Sequence, residues 1–251
     1  MSLLPFTAPR FAVHSSTQDL AAATADWVAR HLRRTFRLRE EAVLLASTDP
    51  ALLPVYRELS RRHAKRLDWG RVRVVQAEEY DAPGLHRRHH LATRLCEVLV
   101  GPLRTRAQLM WEGGRLVEPH AHGEALPRID VALHALGRDG AVGFHRALPA
   151  DASDPSRVRR LRVDMRDGLP REVTHGLALS LSEMRHARRT LVLASGAARQ
   201  GDVQALVART PSPASALLDP LSPLSLAAVH TDPDAAPAPV AWTLPPVRLP
   251  A

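Results

Sequence analysis

Ile129-Asp130-Val131-Ala132-Leu133-His134-Ala135-Leu136-Gly137-Arg138-Asp139-Gly140-Ala141-Val142-Gly143-Phe144 is the stretch whose reading decides the fold. An apolar run leads into two glycines, Gly137 and Gly140, with Asp139 between them. A strand covered on both faces is continuously apolar, and in a parallel sheet such strands deliver their loops to the edge where ligands bind. Glycine lets that backbone turn tightly and approach a ligand closely. On the local pattern alone, an ordinary strand-end turn is the plainer reading.

Working outward, the same pattern recurs. Ala42-Val43-Leu44-Leu45-Ala46 and Thr190-Leu191-Val192-Leu193-Ala194 are further continuous apolar runs. Val72, Val74 and Val75 mark another strand, and Leu226 to Val229 a last one, while Phe11 to His14 reads as a short first strand. Between them, Leu20, Ala23, Trp27, Val28 and Leu32 share a helical face over Gln18 to Arg34, with Ser16 or Thr17 as cap. A helix carrying Leu52, Val55, Tyr56 and Leu59 follows Ser47-Thr48-Asp49-Pro50, and helices are expected over Leu91 to Val100, from Ser182, and over Asp202 to Ala208. Leu161, Val163 and Met165, and then Leu177, Leu179 and Leu181, alternate as half-exposed strands do. Strands alternating with helices predict an α/β domain with a largely parallel sheet. Val43–Ala46, Val72–Val75, Ile129–Leu136 and Leu191–Ala194 should lie in its interior. The domain is expected over residues 1–231, and the Pro- and Ala-rich residues 232–251 form a tail that Trp242 could pin.

The chain has 251 residues, enough for a substantial core. No apolar run is long enough to span a bilayer, and Met1 to Phe11 lacks the basic and apolar regions of a secretory signal. Cys96 is the single cysteine, which excludes an internal disulfide and cysteine-based zinc sites. A cytoplasmic protein is the simplest reading. The net charge of +8 and pI of about 11.0 raise nucleic acid as a partner. Lys65 is the only lysine, Ile129 the only isoleucine, and asparagine is absent, so the basicity follows an arginine-rich, GC-biased composition. The basic residues are dispersed among acids and aromatics are only 4%, which argues against a nucleic-acid module and for a small-anion pocket or a generally basic surface. His86-Arg87-Arg88-His89-His90 and His120-Ala121-His122 have metal-compatible spacing but no convincing second set of ligands, and read as solvated loops.

The opening stretch resembles the signature of the glucosamine-6-phosphate deaminase and 6-phosphogluconolactonase superfamily. There a strand ends in Leu-Gly-(any)-Gly-(any)-(Asp/Asn)-Gly-His, and deaminases continue with Ile-(Gly/Ala)-Phe-Asn-Glu-Pro. Leu136-Gly137-Arg138-Asp139-Gly140 keeps most of the first part and Val142-Gly143-Phe144 the middle. Ala141 stands where the family has its catalytic histidine, and His145 and Arg146 stand where deaminases have Asn and Glu. The resemblance runs roughly from Phe11 to Ala236. It includes Glu78-Glu79-Tyr80 in place of the deaminases' Asp-Glu-Tyr, Ser156-Arg157-Val158-Arg159, Leu191 to Arg199, Pro213-Ala214-Ser215-Ala216-Leu217, and Ala227 to Asp232.

The resemblance implies a three-layer open, mainly parallel sheet with helices on both faces. It implies Glu78 as the base moving a proton between C1 and C2 and Asp139 as a ring-opening or water-orienting acid. His145 is the one residue near enough in sequence to replace the missing histidine. Gly137, Gly140, Ser47 and Thr48 would form the substrate loops, with Ala46-Ser47-Thr48-Asp49-Pro50 replacing the family's Gly-Gly-(Ser/Thr)-Pro phosphate cradle. Asp49 would repel a phosphate if turned inward, and reads better as a helix cap. Arg199 replaces the lysine that grips the substrate phosphate, and Arg157 and Arg159 match arginines of an allosteric phosphate site, or an exposed basic strand. The implied partner is a phosphorylated sugar or similar small anion, no cofactor or catalytic metal is needed, and homo-oligomerisation stays open. The readings to be weighed are a deaminase-like protein with a degenerate site, a non-catalytic binding or protein-interaction module on the same fold, and a 6-phosphogluconolactonase-like hydrolase, against which Tyr80 and Ala141 count. Glu78 and Glu79 read equally well as two solvated acids at a strand end.

Overall fold

A computed structural model describes residues 9–82, 84–112, 115–116, 127–148, 156–163, 173–219 and 226–237. In chain order the elements begin with β1 (Arg10–Val13), α1 (Thr17–Phe36), β2 (Ala42–Ala46), α2 (Leu53–His63), β3 (Val72–Gln76) and β4 (Glu78–Tyr80). Next come α3 (Leu91–Leu95), a π-helical turn at Cys96–Val100, α4 (Gly101–Leu103), β5 (Arg106–Gln108), β6 (Trp111–Glu112), β7 (Arg115–Leu116) and β8 (Val131–Ala135). Then follow β9 (Val158–Arg162), β10 (His175–Leu179), α5 (Leu181–Arg185), β11 (Arg189–Ala194), α6 (Gln200–Val207), α7 (Pro213–Leu218) and β12 (Leu226–Thr231).

The central sheet runs in the order β1-β12-β11-β8-β2-β3-β5, and every pairing is parallel. The four apolar runs are its contiguous middle, β11-β8-β2-β3. Side-chain alternation splits each strand between two layers. Leu44, Ala46, Val131, Leu133, Leu191 and Leu193 pack with α1 and α2 through Leu20, Val28, Leu32, Val55, Tyr56 and Leu59. Val43, Leu45, Ala132, Val192 and Val229 face the other way, onto Met184, Val203, Leu206, Ala214 and Leu217 of α5, α6 and α7. The result is a three-layer α/β fold with helices on both faces.

Local chemistry sets the element ends. Ser16 caps α1 by accepting from the Asp19 amide at 3.1 Å. Asp49 caps the 3₁₀ turn Pro50–Leu52 that leads into α2, accepting from the Ala51 amide at 3.0 Å. Asp130, at the foot of β8, is buried. It accepts from Arg39 at 2.9 Å and from the Val43 amide at 3.0 Å, tying β8 to β2.

A small antiparallel sheet, β4-β10-β9, adjoins the main one. After β3, the Ala77 amide still donates to Ala46 O at 3.0 Å, and the next residues pair with β10 instead. Glu78 and Glu79 are therefore buried, at 5% and 0% exposure, and not solvated. Glu79 accepts from Gln76 Nε2, the Tyr80 amide and the amides of Leu91 and Ala92, the last two at 3.0 and 2.7 Å, so it caps α3. Leu181, expected in a strand, starts α5, whose cap is Ser180. The alternating stretch around Leu161 is β9, and Met165 lies outside the described residues, as do His120, His122 and Trp242. Asp232 and Ala235, at the start of the expected tail, are buried against the body. No helix among the described residues is long and apolar enough to cross a membrane.

Candidate functional site

The chain winds from β2 to β3 on one side and from β8 to β11 and β12 on the other. The order therefore reverses between β2 and β8, and ligands of open α/β sheets bind in the crevice outside the strand carboxyl ends at such a point. The two loops leaving that point are the ones that follow Ala46 and Leu136.

The first loop wraps around Glu78. Ser47 Oγ donates to Glu78 Oε1 at 2.6 Å, the Thr48 amide donates to the same oxygen at 2.9 Å, and Thr48 Oγ1 lies at 3.4 Å. Tyr56 Oη donates to Ser47 O at 2.5 Å and fixes the loop from below. Burial, with Glu78 and Asp49 nearby, pushes the Tyr56 phenol well above its ordinary pKa, so it stays a donor. Three more amides of this segment are satisfied internally: Ser47 N donates to Leu133 O, Ala51 N to Asp49 Oδ1 and Leu52 N to Asp49 O. A carboxylate thus occupies the position where a backbone cradle would receive an anion.

The second loop approaches from β8. The Gly137 amide donates to Ala141 O at 2.8 Å, closing a tight turn. Asp139 (φ +56°) and Gly140 (φ +72°) are left-handed, and a Cβ on Gly140 would stand 2.4 Å from that of Ser212, the cap of α7. Gly143 (φ +55°) brings the backbone against Glu78, where a Cβ would meet Oε2 at 3.0 Å. Phe144 then stacks on Tyr80, ring centroids 5.6 Å apart. Thr48, Asp49, Glu78, Tyr80, Leu91, Gly143 and Phe144 line a small cleft. Two carboxylates, Asp49 and Glu78, and two hydroxyl-bearing residues, Thr48 and Tyr80, are among its lining.

A second cluster sits beyond β11. Arg199 Nη1 donates to Asp202 Oδ2 at 2.8 Å, and the Asp139 amide donates to Asp202 Oδ1 at 2.8 Å. Asp232, after β12, accepts from Ser195 Oγ at 2.6 Å and from the amides of Gly196 and Ala235 at 3.1 and 2.9 Å. Burial would raise the Asp232 pKa, but these bonds and Thr17 outweigh it and hold the carboxyl below its ordinary value. The structure thus gathers the expected site residues into two groups on one edge. Thr48 and Glu78 line the cleft, with Ser47 bonded to Glu78, whereas Asp139 and Arg199 meet at Asp202. Asp232 closes a stretch the resemblance already included, whereas Asp202 carries no local signal of this role.

Two curated relatives align with most of the chain, and both are glucosamine-6-phosphate deaminases. That of Arthrobacter sp. (strain FB24) is 28% identical over 213 residues, spanning 76% of this chain and 78% of the relative. That of Pseudarthrobacter chlorophenolicus is 27% identical over 212 residues, with the same coverage. A solved monomeric glucosamine-6-phosphate deaminase superposes with a TM-score of 0.71 at 20% identity, over 90% of this chain and 98% of that one. The 6-phosphogluconolactonase of Leishmania guyanensis superposes with a TM-score of 0.68 at 15% identity, over 91% and 98%. These likenesses, to curated deaminases in sequence and to both enzyme types in fold, support the resemblance of the chain to the glucosamine-6-phosphate deaminase and 6-phosphogluconolactonase superfamily. No family model matches it.

Ala141, the residue after Asp139-Gly140, is buried behind the Gly137 turn. His145 is 5% exposed and its Nε2 lies 2.8 Å from Leu179 O. Burial lowers its pKa, Arg159 lowers it further, and the bond to Leu179 only partly opposes this. Arg146 is exposed. Arg157 is also exposed and lies 3.4 Å from Glu183, at the rim of β9. His86 is exposed, His89 is half-buried and His90 is buried, held by Leu85 O at 3.2 Å. Among the described residues no group of three or more His, Cys, Asp or Glu could hold a metal ion.

Proposed function

We propose that this protein is a glucosamine-6-phosphate deaminase-like member of the superfamily that binds a phosphorylated sugar in cytoplasmic carbohydrate metabolism, with catalysis weak or absent. The two deaminase relatives support the ligand class. The cleft between Thr48, Glu78 and Tyr80 would hold the polyol, and Arg199 would take the phosphate as a bidentate partner. Glu78 would be the base that carries a proton from C2 to C1 of the ring-opened amino sugar, with Asp139 assisting ring opening; water then adds to the resulting C2 imine and the nitrogen leaves as ammonia, giving the ketose phosphate.

One observation carries the loss of turnover. Ala141 has no proton to transfer, and His145, four residues on, directs its Nε2 to Leu179 O instead of the cleft rim. A missing general acid or base costs about 10²–10⁴-fold. Glu78 is further engaged through Oε1 by Ser47 and Thr48.

The test is a thermal-shift screen of the purified protein against glucosamine 6-phosphate and 6-phosphogluconate, followed by assays of ammonia release and of lactone hydrolysis. Stabilisation by a sugar phosphate without appreciable turnover is the expected result. A rate of about 1–10³ s⁻¹, ordinary for an enzyme, overturns the loss of catalysis. No stabilisation by any sugar phosphate overturns the ligand class and leaves a protein-interaction module on the same fold.

A further inference from the structure

The carboxyl edge of the sheet carries donors suited to an anion, and the chain's own carboxylates occupy them. Glu78 takes the Thr48 amide, Asp232 takes the Gly196 amide, and Asp202 takes both Arg199 and the Asp139 amide. Asp202 is unlike the other two. It lies in the first turn of α6, and its two oxygens join two loops, one after β8 and one after β11. An i,i+3 ion pair within a helix turn explains the contact with Arg199 alone. It does not explain why the second oxygen receives an amide 63 residues away in sequence.

The surroundings leave room for the pair to open. The Arg199 and Asp202 side chains are 21% and 13% exposed, so each has a path to solvent. Glycines flank Arg199 closely: a Cβ built on Gly196 or on Gly201 meets no atom within 4 Å. The backbone is therefore uncrowded on both sides of Arg199 in sequence, and its guanidinium is a fork that fits phosphate oxygens.

We propose that Asp202 is an internal latch that competes with a phosphate for Arg199. In the latched state its carboxylate neutralises the guanidinium and pins the Asp139 loop. An incoming phosphate takes the guanidinium, Asp202 rotates away from two negative oxygens, and the Asp139 amide loses its acceptor. Binding of the phosphate is thereby coupled to release of the loop that leads to Gly143 and the cleft. Asp202 is thus a residue that sets affinity and loop position, and it does not take part in the chemistry. The assignment of a phosphate to Arg199 rests on the proposed function; the Arg199–Asp202 pair and the Asp202–Asp139 contact are observed.

The substitution Asp202→Asn separates the two contacts. Asparagine keeps a carbonyl oxygen for the Asp139 amide and turns an amide, with no charge, toward Arg199. Calorimetric titration with inorganic phosphate, glucosamine 6-phosphate and glucosamine should compare wild type, D202N, R199Q and the double variant. D202N is expected to bind both phosphate compounds about 10- to 100-fold more tightly, the effect of releasing one charge-assisted hydrogen bond. Glucosamine should be unaffected, and the gain should vanish in the double variant. A merely structural Asp202 would lower the melting temperature without tightening any anion. If D202N fails to fold, Asp202→Ser removes the charge in a smaller side chain and is read the same way. Unchanged or weaker phosphate binding in a folded variant, or a gain that survives R199Q, overturns the latch. A gain for inorganic phosphate with no further gain from the sugar supports the latch and counts against the sugar-phosphate reading instead.

Discussion

His134 sets up the sharpest prediction about stability. It sits in the middle of β8, fully buried, on the strand face that also carries Ala132 and Leu136, and neither ring nitrogen finds a protein partner. Burial, with His145 adding to it, lowers its pKa from 6.5 to about 3. The folded pKa therefore lies below the unfolded one, and between these values the unfolded chain binds a proton that the native state refuses. Stability is complete above about pH 6.5 and falls as the pH drops toward 3. Each unit costs about 1.4 kcal/mol, so moving from pH 7 to pH 5 removes about 2 kcal/mol through this residue alone. His134→Leu replaces the ring by an apolar side chain of similar volume. It should abolish that contribution and, by removing two unpaired polar atoms, raise stability at pH 7 by about 1–3 kcal/mol. Urea denaturation of wild type and H134L at pH 7 and pH 5 measures both effects. His31 and His230, each lowered to about 4 chiefly by burial, add acid sensitivity of their own, but they remain in the variant and cancel in the difference. Equal losses of stability in the two proteins between pH 7 and pH 5 would refute the reasoning.

Three further outcomes follow from the geometry. Asp130→Ala removes the acceptor shared by Arg39 and the Val43 amide and should cost about 2–3 kcal/mol in chemical denaturation; the figure stays moderate because Arg39 is 36% exposed. Gly140→Ala drives a Cβ to 2.4 Å from that of Ser212 at a left-handed φ, and should lose more than about 1–2 kcal/mol in thermal melts, whereas Gly201→Ala, facing open space, should be neutral or slightly stabilising. Restoring Ala141→His together with Arg146→Glu tests for a decayed deaminase: ammonia release should appear or rise over wild type, and an inactive double variant would show that the fold has been turned to binding alone.

Much of the architecture was legible because burial on both faces leaves a direct trace in composition. Val43 to Ala46 and Leu191 to Ala194 are continuously apolar since each faces a helical layer above and below the sheet, and they do lie side by side with β8 and β3 in its interior. The helical face of Leu20, Val28 and Leu32 and the caps Ser16 and Asp49 were equally local, because a cap bonds an amide only two or three residues on. Glu78 and Glu79 were not readable in this way. Two adjacent acids look solvated until β10, about 100 residues later in the chain, arrives to pair with them and α3 places its first amides on Glu79.

The same distinction separates the fold from the site. The sequence by itself determined the element order, the parallel sheet and the loops at its carboxyl edge, since each depends on residue type or on neighbours within a turn. Tertiary structure alone decided what those loops are doing. Only folding brings Ser47 to Glu78, Asp202 to Asp139 and Asp232 to Gly196, pairs separated by 31, 63 and 36 residues. A carboxylate's effect on a donor falls off within a few ångströms, so whether Arg199 waits open for a phosphate or is already paired depends on where α6 comes to rest against the β8 loop, and no local pattern encodes that distance.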